Sequence, residues 1–197
     1  MEHQTPPKPV HKPGQIALIS ILVLLAVALV FFASSFHLYR AIGASMLPTI
    51  GENDIVICQK SQAPRPGDIV VFQVPSYMPE TIVKRVIATE GQHIFIDYEN
   101  NRVLVDGVPL NEPYVPEPME RPNNPYSTIT DITVPSGCVF VLGDNRNHSS
   151  DSRNEQLGCV SVSDIKGKVL WVLKKERETV VSLLPANGCI FLPNVLQ

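Results

Sequence analysis

The chain is short of several things that would direct its chemistry elsewhere. Its four cysteines, Cys58, Cys138, Cys159 and Cys189, form no C-x-x-C pair, so the spacing of a structural zinc site is missing. The formal charge is −3 and no basic stripe runs through the sequence, which speaks against a nucleic-acid partner. Of five histidines only His93 and His148 lie well past residue 37, so few bases exist for a Ser/His/Asp constellation. Uninterrupted windows for helices are scarce as well. Eighteen prolines in 197 residues is about 9%, against an average of roughly 5%, and proline breaks helix interiors.

One window escapes the prolines. Ile16 to Phe36 carries no charge, and its length as a helix would be roughly 30 Å, the thickness of a bilayer core. A cleaved secretory signal is the alternative, because Ala41 to Ala44 supplies small residues downstream. A signal's apolar region usually spans ~7–15 residues, shorter than this run. The expectation is a single uncleaved transmembrane helix over 16–36, behind a proline-rich, disordered cytoplasmic tail over 1–15. Lys8 and Lys12 precede the span, and only Arg40 follows it before Lys60. This bias favours a cytoplasmic N-terminus, with the rest of the chain on the trans side. A disulfide is permitted there. Cys138 with Cys159 is one pairing, and four cysteines allow three.

The remainder reads as short strands between glycines and prolines. Asp54–Cys58, Asp68–Phe72, Ile82–Ala88, His93–Asp97, Arg102–Asp106, Cys138–Leu142 and Lys168–Leu173 are the candidates, with a tight turn at Asp106-Gly107. The fold class expected is all-β, a barrel or paired antiparallel sheets, over residues 37–173. A proline-rich excursion at about 97–130 reads as a structural insertion rather than a site. Residues 174–197 form a C-terminal tail without an assigned role.

Chemistry concentrates at three places. Ser45 lies in the turn-like Gly43-Ala44-Ser45-Met46-Leu47-Pro48-Thr49, where small residues allow close backbone approach. Lys84 lies in the apolar strand Thr81–Ala88, sharing a face with Ile82 and Val86, while Arg85 points the other way. A serine hydroxyl needs a base, and lysine serves only when neutral. Its free pKa of ~10.4 can fall by about three units on burial in an apolar setting. The third place is Gly143 to Arg153, eleven polar or glycine residues after a core strand, read as a hydrogen-bonding loop that orients the base. A Ser/Lys pair is a variant of the hydrolytic dyad, and the anchor implies a substrate at the membrane.

Taken together, these segments resemble the type I signal peptidases, membrane-anchored Ser/Lys endopeptidases. Ser45-Met46-Leu47-Pro48-Thr49 is similar to that family's nucleophile box, and Gly67-Asp68-Ile69-Val70-Val71-Phe72 to its next strand box. Val83-Lys84-Arg85-Val86 resembles the general-base box, and Gly143-Asp144-Asn145 through Ser149, Asp151, Ser152 and Arg153 the last. Gly158, Val160, Ile165 and Gly167-Lys168 fit as well, so the resemblance spans roughly residues 16–173. It implies removal of signal peptides from exported preproteins after small residues at −1 and −3. Ser45 would be the nucleophile and Lys84 the general base. Ser149 would position Lys84, while Asp144, Asp151 and Arg153 hold the framework. Ile42, Ile50, Ile82 and Val83 would line the pockets for the two small side chains, where a larger one would overpack. Some members carry a serine where this chain has Gly43, so the oxyanion site here would rest on backbone donors, the Ser45 amide first. The implied partners are preprotein signal peptides, the lipid bilayer and, by proximity, the translocation machinery, with no cofactor and no metal.

Other readings make different demands. His148 as a base would require activity to depend on it. A sortase-like enzyme would need a reactive cysteine, yet Cys58 sits in a core strand. A Ser/Lys self-cleaving repressor needs a DNA-binding head where this chain has its apolar run. A membrane-anchored β-rich binding or assembly module predicts no dependence on Ser45 or Lys84.

Overall fold

The computed structural model describes residues 13–60, 63–175 and 182–185. Expectations for residues 1–12, for Cys189 and for most of 174–197 lie outside the described residues. The chain divides into two units, Met1–Phe36 and His37–Gln197.

The first unit contains one helix, α1, over Pro13–Ser35. Proline at its first position loses no hydrogen bond, because the first amides of a helix have no partner within it. Its 23 residues carry no charge and extend about 34 Å. The large apolar side chains from Ile16 to Phe32 are each more than half exposed. A helix of a soluble core would bury one face. This one has the length and composition that cross a membrane.

The second unit is built from antiparallel strands: β1 Phe36–Arg40, β2 Ile55–Gln59, β3 Ile69–Phe72, β4 Ile82–Thr89, β5 His93–Asp97, β6 Arg102–Val105, β7 Val108–Pro109, β8 Asp131–Thr133, β9 Cys138–Leu142, β10 Val160–Ser161, β11 Ile165–Lys174 and β12 Ser182–Pro185. The larger sheet runs β1-β2-β11-β3-β4-β9-β10, with β12 also on β11. A smaller sheet runs β7-β6-β5-β8. The all-β expectation holds in the form of paired antiparallel sheets. Strand β11 lies between β2 and β3 in the larger sheet; it pairs with β3 from Ile165 to Lys168 and with β2 from Lys168 to Leu173, and its register on β3 shifts between Ile165 and Gly167. Gly167 sits there because a Cβ would stand 2.7 Å from the Gln59 carbonyl.

Parity explains the cores. Along β4, Ile82 and Val86 pack with Val70, Phe72 and Val141 on one face, and Val83 packs with Ile69 and Val71 on the other. A bulge between Val86 and Ala88 shifts the register. Ile87 and Ala88 therefore join a third core, shared with Ile94, Ile96, Val103 and Phe140 of the smaller sheet and β9. The Asp106-Gly107 turn has both residues at positive φ, 51° and 78°, as a two-residue hairpin turn requires. The excursion expected at 97–130 falls within the span of the smaller sheet. The smaller sheet starts at His93 and closes at Thr133, because β5 and β8 pair with each other and not with the larger sheet.

Candidate active site

The Ser45 turn is held from below and at both ends. Met46 and Ile50 are buried in the first core. The Leu47 amide donates to the Ala44 carbonyl (3.1 Å) and the Ile50 amide to the Met46 carbonyl (2.8 Å). Gly43 has φ +85° with open space around its Cβ position, so the backbone conformation, rather than crowding, favours glycine there. Ser45 itself is half-buried.

Lys84 faces Val70 across the β3–β4 ladder and is 4% exposed. Its Nζ lies 2.7 Å from Ser45 Oγ and donates to the Val83 carbonyl at 3.1 Å. Burial lowers its pKa from the usual lysine value to about 8, opposed by the charges of Asp151 and Asp144 and assisted by Arg153. The amine is thus a usable base close to neutral pH, which a solvated lysine is not.

Behind the pair lies a buried polar layer from the loop after β9. Asp144 receives Arg85 in a two-pronged pair (2.8 and 2.7 Å) and also accepts from the Thr49 hydroxyl. Arg85 is buried with it. The position assigned to it on the face away from Lys84 is that of a brace on the Asp144 loop. Asp151 accepts from Arg153 (2.8 and 2.9 Å) and from the Gly143 amide (3.0 Å). Burial pushes the Asp151 carboxyl up, but the Arg153 charge and these donors outweigh it and hold the pKa below the usual value. The Asn145 amide donates to the Ser45 carbonyl (3.1 Å) and its side chain to the Ala44 carbonyl (3.1 Å). The loop therefore grips the backbone on which Ser45 sits.

The sequence-selected residues separate into two groups. Ile42, Gly43, Ser45, Ile50, Ile82, Val83 and Lys84 line one cleft of about 690 Å³. Ile42 stands out at 84% exposed, whereas Ile50 is almost fully buried. Asp144, Asp151 and Arg153 lie beneath, each at most 1% exposed. The Ser149 hydroxyl is buried beside Gly143 without a partner in hydrogen-bond geometry among the described residues. It lies near enough to Asp151 to favour that carboxylate's charged form. His148 is exposed at the cleft rim. Thr49 and Asn145 were present in the quoted segments without a role. The signal for Asn145 was its place beside Asp144 in a loop with more polar groups than one base needs. Cys58 is fully buried, and burial pushes its thiol up to about 12, the reverse of a reactive cysteine.

A serine oxygen in contact with a buried amine of lowered pKa, at the edge of an apolar cleft, is the arrangement of a serine hydrolase. The family description "Signal peptidase, peptidase S26" matches residues 15–174. The chain is 35% identical over 160 residues to a probable signal peptidase I-1 of Synechocystis sp., covering 73% of this chain and 76% of that one. It is 35% identical over 154 residues to signal peptidase I of Bacillus caldolyticus, covering 68% and 77%. A crystal structure of a signal peptidase I from Enterococcus faecalis is 30% identical with TM-score 0.42, covering 54% of this chain and 97% of that one. The chain belongs to the signal peptidase family, the S26 serine peptidases, which act on preprotein signal peptides at a membrane.

Proposed function

We propose that this signal peptidase cuts exported preproteins after small residues at −1 and −3, through a Ser45 nucleophile and a Lys84 general base. The observation that carries the reading is the 2.7 Å contact between Lys84 Nζ and Ser45 Oγ, with the amine's pKa lowered to about 8. Neutral Lys84 accepts the hydroxyl proton as Ser45 Oγ bonds to the scissile carbonyl carbon. The Ser45 amide donates to the oxyanion. The C–N bond then breaks, the leaving amine takes the proton from Lys84, and the signal peptide remains as an ester on Ser45. Lys84 next deprotonates a water, which attacks the ester carbonyl. The bond from that carbon to Ser45 Oγ then breaks, Oγ takes the proton back from Lys84, and the signal peptide leaves as its carboxylic acid, which ionises in water.

Ser149, Asp144, Asp151 and Arg153 hold this geometry, and Ile42, Ile50, Ile82 and Val83 shape the subsites. The apolar cleft suits an extended segment with small side chains, since larger ones would have to displace packed walls. Helix α1 is the anchor, with the N-terminus cytoplasmic and the β unit on the trans side of a cell membrane. In that position it would meet preproteins as they leave the translocation machinery.

The test is cleavage of a preprotein in detergent by wild type, Ser45→Ala and Lys84→Ala, with the product N-termini sequenced. Cutting after A-x-A by the wild type alone supports the reading. No cleavage by the wild type across several preproteins and lipids would favour an anchored binding module instead.

A further inference from the structure

The proline-rich segment read as a structural insertion reaches the machinery around the dyad. The Tyr114 ring lies 3.9 Å beneath the Arg85 guanidinium, a close cation–π stack. Arg85 is the neighbour of Lys84 on β4, and it holds Asp144 and donates to the Gly67 carbonyl (3.0 Å). The Tyr114 hydroxyl donates to Glu112 (2.9 Å). Glu112 in turn takes both terminal nitrogens of Arg146 (3.0 and 2.6 Å). Arg146 is 2% exposed, and its Nε donates to the Gly143 carbonyl (3.0 Å). Gly143 is pressed against the Ser45 carbonyl and Ser149, with no room for a Cβ. One chain of contacts therefore starts beside the base and ends against the nucleophile's backbone. Two residues from the smaller sheet's lobe close it.

We infer that Glu112 and Tyr114 are positioning residues for the reaction, which lock the base strand and the Gly143 loop to each other so that Lys84 and Ser45 stay in contact. This rests on the Ser45/Lys84 reading. A planar ring against Arg85 fixes the guanidinium that holds Asp144. A two-pronged carboxylate on Arg146 fixes the guanidinium that holds Gly143. Either fixture lost, Ser45 and Lys84 can separate by about 1 Å, and a displacement of that size costs about 100-fold in rate.

The test compares kcat, KM, the pH profile and the unfolding midpoint of full-length wild type, Tyr114→Leu, Tyr114→Phe and the double variant Glu112→Leu/Arg146→Met, all in detergent with one preprotein. Tyr114→Leu is expected to lower kcat about 100-fold with KM nearly unchanged. The acidic limb of its profile moves to higher pH, because a loosened Arg85 leaves more of the Asp144 charge to act on Lys84. Tyr114→Phe keeps the ring and recovers most of kcat. The double variant replaces a buried ion pair by apolar groups of similar size, which can preserve stability. It is expected to unfold near the wild-type midpoint and still lose kcat. If Tyr114→Leu does not fold, the double variant decides alone. Wild-type kcat and pH profile in a folded double variant, with Ser45→Ala and Lys84→Ala inactive, overturn this inference and leave the dyad standing. Activity in Ser45→Ala or Lys84→Ala overturns the dyad, and the inference with it.

Discussion

A Cβ added at Gly143 would stand 2.4 Å from the Ser45 carbonyl oxygen and 2.2 Å from Ser149 Oγ. The Ser45 backbone and the polar loop are in contact at a point where only a hydrogen fits. Gly143 is not at positive φ, so space alone demands the glycine. Gly143→Ala should push the Ser45 turn away from the loop. We expect kcat to fall by about 100-fold and stability by about 1–3 kcal/mol, read by single-turnover cleavage and denaturant unfolding.

Burying the Lys84 amine costs the fold stability. Its native pKa of about 8 lies below the usual lysine value, so between about pH 8 and 10.5 the unfolded chain binds a proton that the native chain does not. Stability therefore rises with pH across that window, and the penalty is fully present below it. The penalty is about 3 kcal/mol. Lys84→Met should be inactive and more stable than wild type at pH 7, with the gap narrowing as pH climbs towards 10. Urea unfolding at pH 7 and pH 9.5 measures both.

Asp144 carries the opposite expectation. Removing it leaves Arg85 buried without its carboxylate and Thr49 without its acceptor. Asp144→Ala should cost about 3–5 kcal/mol. Asp144→Asn, which keeps an acceptor oxygen, should cost less. A smaller loss from Asp144→Ala than from Asp144→Asn in guanidinium melts would contradict the brace assigned to this pair.

Much of this was legible from local pattern. The strand periods around Lys84 and the proline-free apolar run at α1 each follow from chemistry within a few residues. So does the two-residue turn at Asp106-Gly107. What the pattern could not supply were contacts across long separations. Arg85 to Asp144 joins residues 59 apart, and Arg146 to Glu112 joins residues 34 apart. A sequence marks such residues only as charges in apolar or polar company. The pairing of β5 with β8 is another such contact. Strand β5 reads as one more strand of a common sheet until its pairing with β8 is seen. The Ser149 position was selected for contact with Lys84, while its hydroxyl sits beside Gly143 and Asp151.

The most direct measurement of the central claim is the single-turnover rate of preprotein cleavage against pH, from 6 to 10, for wild type and Lys84→Ala. The account predicts a wild-type rate that rises with pH through one ionisation near 8 and levels off above it, because the neutral amine is the base. It predicts no cleavage in Lys84→Ala at any pH. A rate that survives in Lys84→Ala, or a wild-type rise centred near ~6.5 where imidazole titrates, would contradict it and move the base to His148.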